Sequence, residues 1–170
     1  MNARKIEIVS PAGNFEKVKF AVAYGADAVY FGGEMLNLRE NADNFTAEQV
    51  AEAVSFCRER RVRPVFLINS FLHEHDIAPA REYLSSLRNA GLHSIMVSAP
   101  GLLQLVRESG IQAELQMSTQ MSTLNHLSVR FWQSQGVKRI VLARETTLDE
   151  IRMIRDNTDA ELEVFAHGAL

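Results

Sequence analysis

Nine polar side chains stand at or just beyond the ends of short apolar runs, and their chemistry suits anion binding and proton transfer. They are Ser10, Arg39, Asn69, Gln116, Ser118, Gln120, Arg144, Glu145 and His167. Guanidinium groups such as those of Arg39 and Arg144 bind carboxylates or phosphates through two parallel hydrogen bonds. Histidine titrates near neutrality, so His167 could act as general acid, general base or ligand, or it could simply be a satisfied residue at a strand end.

The apolar runs and the stretches between them predict strands that alternate with helices. The runs are Ile6–Val9, Ala28–Phe31, Pro64–Ile68, Ser94–Val97, Ala113–Gln116, Arg139–Leu142 and Leu162–Ala166. Such an alternation forms a parallel sheet, and parallel sheets carry their chemistry at the carboxyl ends of the strands. We therefore expect the nine side chains to meet at that edge, which we call the mouth. There Arg144 could hold an anion, or it could pair with Glu145 or another acid and only brace the fold.

Two parallel architectures fit this alternation, an open doubly wound sheet and a barrel. An open sheet usually carries a glycine-rich nucleotide-binding turn after its first strand. Here that turn reads Ser10-Pro11-Ala12-Gly13, and the sequence contains no G-x-G-x-x-G motif. We therefore predict an α/β fold, a TIM-barrel-like (β/α)8 that is incomplete, with seven parallel strands. We expect residues 1–170 to form a single partial domain.

Capping residues mark the predicted helices. Asn14 is a good N-cap for the first helix, and the capping boxes Thr46–Gln49 and Thr147–Glu150 open two later helices. Cys57 falls at helical spacing from Val50, so we expect it to pack as a small hydrophobe. Arginines close the second helix and enter the third strand, where a solvated rim is favoured over an RNA-binding patch. These arginines are Arg58, Arg60, Arg61 and Arg63.

Composition limits the classes of function. A net charge of −3 over 170 residues argues against a surface devoted as a whole to nucleic acid. The apolar runs are shorter than the roughly 20 residues that span a bilayer, and no signal peptide is evident, so we expect a cytoplasmic protein. A single cysteine excludes an intrachain disulfide and a metal site of several thiolates. His73 and His75 could hold a metal or lie solvated in their loop.

Five segments together resemble the collagenase-like peptidase family. They are Ser10–Gly13, Tyr24–Tyr30, Asn37–Arg39, Arg144–Glu145 and Val164–Leu170. The resemblance implies a TIM-barrel-like N-terminal region, and it implies that residues 1–170 are the N-terminal fragment of a longer protein. Carried over position by position, it makes His167 and Glu145 the candidate catalytic residues. It assigns four residues to substrate binding: Arg39, Asn69, Gln120 and Arg144. Relatives commonly have an acid where this chain has Ala99.

The resemblance also implies cofactors, partners and alternative functions. Family members include proteins for prephenate-dependent hydroxylation of tRNA uridine, for ribosomal RNA hydroxylation and for anaerobic ubiquinone hydroxylation, and others are named collagenase-like proteases. Our first expectation is tRNA hydroxylation, with the anionic dicarboxylate prephenate as co-substrate. A 4Fe–4S cluster is expected on cysteines that follow the His-Gly-Ala-Leu segment in relatives, and no metal ligand is expected within this chain. The alternatives are a peptidase and a non-catalytic subunit that pairs with a second barrel.

Overall fold

The computed structural model describes residues 6–38 and 44–167 and contains one sheet of seven parallel strands in sequence order. The strands are β1 Val9–Pro11, β2 Ala28–Gly32, β3 Arg63–Ile68, β4 Ser94–Val97, β5 Glu114–Met117, β6 Val137–Val141 and β7 Glu161–Glu163. The helices are α1 Phe15–Ala23, α2 Ala47–Glu59, α3 Ile77–Ser86, α4 Pro100–Ser109, α5 His126–Ser134 and α6 Leu148–Asn157. Short 3-10 turns lie at Glu74–Asp76, Leu87–Asn89 and Thr119–Met121. The predicted barrel-like alternation of strands and helices is confirmed.

The ends of the two edge strands differ most from the prediction. β4 has the predicted bounds, whereas β1 shares only Val9 with the predicted run, and β7 ends at Glu163 rather than at Ala166. An edge strand pairs with one neighbour, so its length is set by where that neighbour offers partners. Val9 is the first residue of β1 to pair with β2, and Glu163 is the last of β7 to pair with β6.

Strands β2, β3, β4 and β6 are mainly buried on both faces, which explains why their sequences are nearly continuous apolar runs. One face packs against the helices through large side chains: Phe31, Phe66, Ile68, Ile95, Met117 and Ile140. The other face forms a smaller interior cluster: Ala28, Val65, Met96 and Val141. Cys57 is fully buried in α2, as expected. The predicted N-cap Asn14 and both predicted capping boxes are present.

Charged side chains join the two ends of the sheet across its inner face, and we call them the inner ion-pair cluster. Its members are Glu7, Arg63, Arg139, Glu161 and Glu163. Nη2 of Arg139 lies 2.6 Å from Glu7 Oε2 and 2.6 Å from Glu161 Oε2. Arg63 pairs with Glu7 and lies 3.8 Å from Glu161. Since Glu7 precedes β1 and Glu161 begins β7, these contacts show that the sheet curls into a half-barrel.

The cluster corrects one expectation about the arginines around β3. Arg58, Arg60 and Arg61 are solvent-exposed, as predicted for a rim. Arg63 instead turns inward and pairs with carboxylates on both edges of the sheet. The reason is strand alternation, because Arg63 is the first residue of β3 and shares the inner face with Val65.

The end of β2 packs so closely that it accepts only glycine. A Cβ built on Gly33 would collide with the Tyr83 hydroxyl from α3, and it would lie 3.0 Å from Cζ of Phe66. Tyr83 is itself buried, and burial raises its pKa to about 12. Helix α3 therefore packs directly against the backbone at the start of the long loop between β2 and α2.

Replacing Arg139 with alanine should lower the free energy of unfolding by about 3 kcal/mol, because it removes a buried guanidinium shared by three glutamates and leaves Arg63 as the only arginine of the cluster. Urea unfolding followed by circular dichroism measures the loss. Although burial opposes it, Arg139 lowers the pKa of Glu161. That stabilisation is present above the carboxyl's unfolded pKa and is lost as the pH falls through the folded one, so the deficit should shrink in acid. Lys138→Ala, whose pair with Glu114 is exposed, is the control. An equal loss in both variants would contradict a special role for Arg139.

Gly33→Ala should destabilise the protein by about 1–3 kcal/mol, because the added methyl group has no space beside Tyr83. Gly101→Ala is the matched control, since its Cβ would meet Leu72 at 3.4 Å. Adding Tyr83→Phe to Gly33→Ala should recover part of the loss by removing the colliding oxygen. Unfolding curves for the single and double variants test this, and additive losses would show that the two residues do not interact.

Candidate functional site

The carboxyl edge of the sheet gathers most of the predicted side chains, because all seven strands run in one direction. Asn69 follows β3, Ser118 and Gln120 follow β5, Arg144 follows β6, and His167 follows β7. A cavity of about 590 Å³ lies instead at the amino ends of β3 to β5. Parallel barrels place their chemistry at the carboxyl edge, so we locate the candidate site at the mouth and not in that cavity.

Asn69 joins the loop after β2 to the turn after β5. Its side-chain oxygen accepts a hydrogen bond from the backbone N–H of Leu38 at 3.2 Å. Its backbone carbonyl accepts a longer one, 3.4 Å, from Nε2 of Gln120. The structure thus brings together two of the predicted substrate-binding residues. Because the amide oxygen of Asn69 already accepts a hydrogen bond from the loop, this side chain positions the backbone that precedes residue 39.

Leu36 anchors the same loop through a strained backbone. Its φ is 60°, in the left-handed region that non-glycine residues rarely adopt, and its side chain is buried. Its carbonyl accepts hydrogen bonds from the N–H groups of Asn69, at 2.8 Å, and Ser70, at 3.1 Å. Such strain costs about 1–3 kcal/mol and persists where surrounding contacts impose it, often at binding sites. Arg39 lies outside the described residues, so its place in the mouth stays a prediction.

Arg144 is exposed at the mouth and rests against an aromatic ring. Its Cζ lies 4.8 Å from the centroid of the Phe165 ring, a cation–π contact. Within residues 6–38 and 44–167 the structure records no ion pair for this guanidinium, so the alternative in which Glu145 neutralises it finds no support there. The ring steadies the guanidinium while its N–H groups stay available to a ligand.

The two predicted catalytic residues, Glu145 and His167, are both exposed. The structure records no hydrogen bond or ion pair between them or to another described residue. The catalytic assignment of this pair therefore stays a prediction.

Three other members of the predicted set do not present free side chains to the mouth. Gln116 is fully buried within β5, and its Nε2 donates to Ser94 Oγ at 2.6 Å. Ser118 is buried, and its hydroxyl accepts from the N–H of Gln120 at 3.4 Å. Ser10 lines a cavity of about 310 Å³ beside α1, on the helix side of the sheet. Sequence placed these residues at the right strands but could not fix the direction of their side chains.

Sequence analysis missed the charged interior below the mouth. Glu163 and Arg139 face the inside of the half-barrel, and their side chains are 17% and 8% exposed. Burial raises the pKa of Glu163, while nearby Arg139 opposes the shift. The sequence pattern that could have predicted this charged interior is the Glu-Leu-Glu alternation of residues 161–163, which places two carboxyl groups on one face of a strand.

Three relatives illustrate what this chain is similar to. The tRNA hydroxylation protein P1 of Bacillus subtilis is 42% identical over 167 residues, which are 98% of this chain and 40% of that protein. The collagenase of Porphyromonas gingivalis is 34% identical, with 100% of this chain and 43% of that protein covered. A 23S rRNA 5-hydroxycytidine synthase of Escherichia coli is 35% identical, with coverages of 100% and 25%. The chain therefore spans less than half the length of these relatives.

A solved structure and a family profile agree with these relatives. The structure of a U32 peptidase superposes with a TM-score of 0.72 at 13% identity, covering 96% of this chain and 70% of that one. At that identity the likeness shows the fold alone. The profile described as Peptidase family U32 matches residues 13–170, which include all six helices and the strands β2 to β7. The resemblance based on five sequence segments is thereby confirmed, and the chain belongs to peptidase family U32.

Proposed function

We propose that this chain is the N-terminal barrel region of an RNA-hydroxylating protein that acts on tRNA uridine. The observation that carries the proposal is the 42% identity, over 98% of this chain, to a tRNA hydroxylation protein. A second relative is named as an rRNA 5-hydroxycytidine synthase. Hydroxylation of RNA is thus the reaction class that the names of these two relatives have in common.

In this proposal the mouth binds the anionic co-substrate, for which prephenate is the candidate. The guanidinium of Arg144 would bind one carboxylate through paired hydrogen bonds, and Arg39 would bind the second. Gln120 would donate a hydrogen bond from Nε2, and Asn69 would hold the loop that carries Arg39. Glu145 and His167 would exchange protons with the bound molecule at the rim.

The residues of this chain do not fit an iron–sulfur cluster. Cys57, the single thiol, is buried in α2, and burial raises its pKa to about 11, which keeps it protonated. No group of three or more His, Cys, Asp or Glu side chains in the described part of the chain is placed to hold a metal ion. We therefore assign any 4Fe–4S cluster to cysteines in the remainder of the longer protein.

The proposed cellular location follows from the proposed substrate, tRNA. None of the helices in the described ranges is long and apolar enough to cross a membrane. We propose a cytoplasmic protein whose full length contacts tRNA, with a second barrel subunit as a further candidate partner.

A peptidase is the second candidate, and the 34% identity to a collagenase favours it. A cysteine peptidase would need an accessible, readily ionised thiol. Cys57 is neither accessible nor readily ionised. A cysteine peptidase mechanism thus finds no nucleophile in this chain, and the higher identity to a tRNA hydroxylation protein, 42% against 34%, makes RNA hydroxylation the stronger proposal.

Deleting the gene should remove 5-hydroxyuridine-derived nucleosides from tRNA, as measured by mass spectrometry of digested tRNA. The full-length gene should restore them. A gene carrying Arg144→Ala should restore little, while Arg152→Ala, an exposed α6 residue paired with Asp149, should restore them fully. Unchanged tRNA nucleosides in the deletion strain would overturn the proposal, and loss of 5-hydroxycytidine from rRNA would transfer it to that substrate.

Prephenate should bind the full-length protein, and Arg144→Ala should weaken binding about ten- to a hundredfold. This weakening corresponds to a loss of about 1.5–3 kcal/mol in binding free energy, which is what a hydrogen bond to a charged group contributes. Isothermal titration calorimetry gives the dissociation constants, with Arg152→Ala as the charge-matched control. Equal losses in the two variants would indicate a general effect of charge and would reject a specific contact by Arg144.

A further inference from the structure

Glu163 is the last residue of β7, and its carboxyl group points into the half-barrel. It pairs in register with Val141 of the interior cluster, and its backbone carbonyl accepts a hydrogen bond from Leu142 N–H at 2.9 Å. Two residues later, Phe165 carries the ring against which Arg144 rests. Glu163 therefore lies at the carboxyl end of its strand, directly before the segment that contributes to the mouth.

Glu163 differs from the other acids of the inner ion-pair cluster in its hydrogen bonding. Glu7 and Glu161 each accept a hydrogen bond of 2.6 Å from Arg139. Glu163 Oε2 lies 3.7 Å from Arg139 Nη1, which is too long for a hydrogen bond. This oxygen is buried, and it has no hydrogen-bond partner among the described residues.

A second unsatisfied oxygen lies on the same inner face. Gln116 pairs in register with Arg139, and its Nε2 is bonded to Ser94, but its buried Oε1 has no partner within the described ranges. Leaving such groups unpaired costs about 1–3 kcal/mol each. The inner face therefore carries two buried oxygens without hydrogen-bond partners among the described residues, which native protein interiors seldom leave unpaired.

The charges that face Glu163 come from four elements of the half-barrel. Arg139 on β6 and Arg63 on β3 favour its ionised form, whereas Glu7 before β1 opposes it. Glu161, on the same strand, already shares the Arg139 guanidinium. Burial outweighs the arginines, so the pKa of Glu163 is raised. The carboxyl is consequently neutral over a wider pH range than an exposed glutamate.

We propose that Glu163 forms the floor of the mouth, where its carboxylic acid donates a hydrogen bond to a carboxylate of the bound small dicarboxylate. This inference rests on the proposed function, since it assumes that the mouth holds such an anion. An ionised Glu163 would repel the ligand, whereas the neutral acid supplies a donor without adding charge. The ligand carboxylate and the Glu163 carboxyl then share one proton, which is taken from solvent when Glu163 was ionised before binding.

The test is calorimetric titration of the full-length protein with prephenate in two buffers of different ionisation enthalpy. Near neutral pH the wild type should take up a fraction of a proton on binding, and its dissociation constant should rise by up to about tenfold per pH unit above the Glu163 pKa. Glu163→Gln keeps a hydrogen-bond donor, so it should bind within about threefold of the wild type at neutral pH, without proton uptake. Glu59→Gln, an exposed acid on α2, is the control and should behave as the wild type.

The outcomes separate this inference from the proposed function. Binding without proton uptake by the wild type, or uptake that Glu163→Gln retains, would overturn the role of Glu163 and leave the anion-binding mouth intact. No binding by the wild type would overturn the anion-binding mouth and this inference with it. Absence of proton uptake in the wild type overturns the role of Glu163 even if Glu163→Gln does not fold, and uptake in the wild type is assigned to Glu163 only when Glu163→Gln abolishes it.

Discussion

The half-barrel depends on the pairing of one buried guanidinium with acids from both ends of the sheet. Within the described residues, β1 and β7 share no backbone hydrogen bonds that would draw the two ends of the sheet together. Arg139 provides that link together with Arg63, because both side chains contact Glu7 before β1 and Glu161 on β7. Burying these charges is costly, and only their mutual hydrogen bonds offset the cost. The curl they maintain turns a row of strand ends into a mouth.

The mouth combines a rigid side with an accessible one. On the rigid side, Leu36 in its left-handed conformation and the amide of Asn69 fix the loop after β2 on the end of β3. On the accessible side, Arg144 rests on Phe165 and is exposed to solvent. This division suits a binding site, because a fixed loop sets the geometry while an exposed guanidinium is accessible to a ligand.

The interior of the half-barrel shows how neighbouring groups of one type acquire different chemistry. Glu161 and Glu163 are two residues apart on one face of β7, yet their pKa values shift in opposite directions. Both are partly buried, which raises the pKa of a carboxyl. Glu161 gains hydrogen bonds from Arg139 that outweigh burial, and Glu163 gains only a distant contact. Two residues along the same face of β7 therefore separate an ion-pair partner, Glu161, from a candidate ligand-binding acid, Glu163.

The sequence by itself determined the strands, the helices and the edge of the sheet where chemistry belongs. Apolar runs and caps such as Asn14 are local signals, and parallel order sends Asn69 and Arg144 to one edge. Only the tertiary structure decided which way side chains point, as it turned Arg63 inward and Ser10 toward the helices. It also decided that the sheet curls and that the Glu163 side chain is largely buried. These features depend on contacts such as that between Glu7 and Arg139, which are 132 positions apart in the chain. Local pattern carries no information about such pairs, because strand register and curl must form before the two side chains can meet.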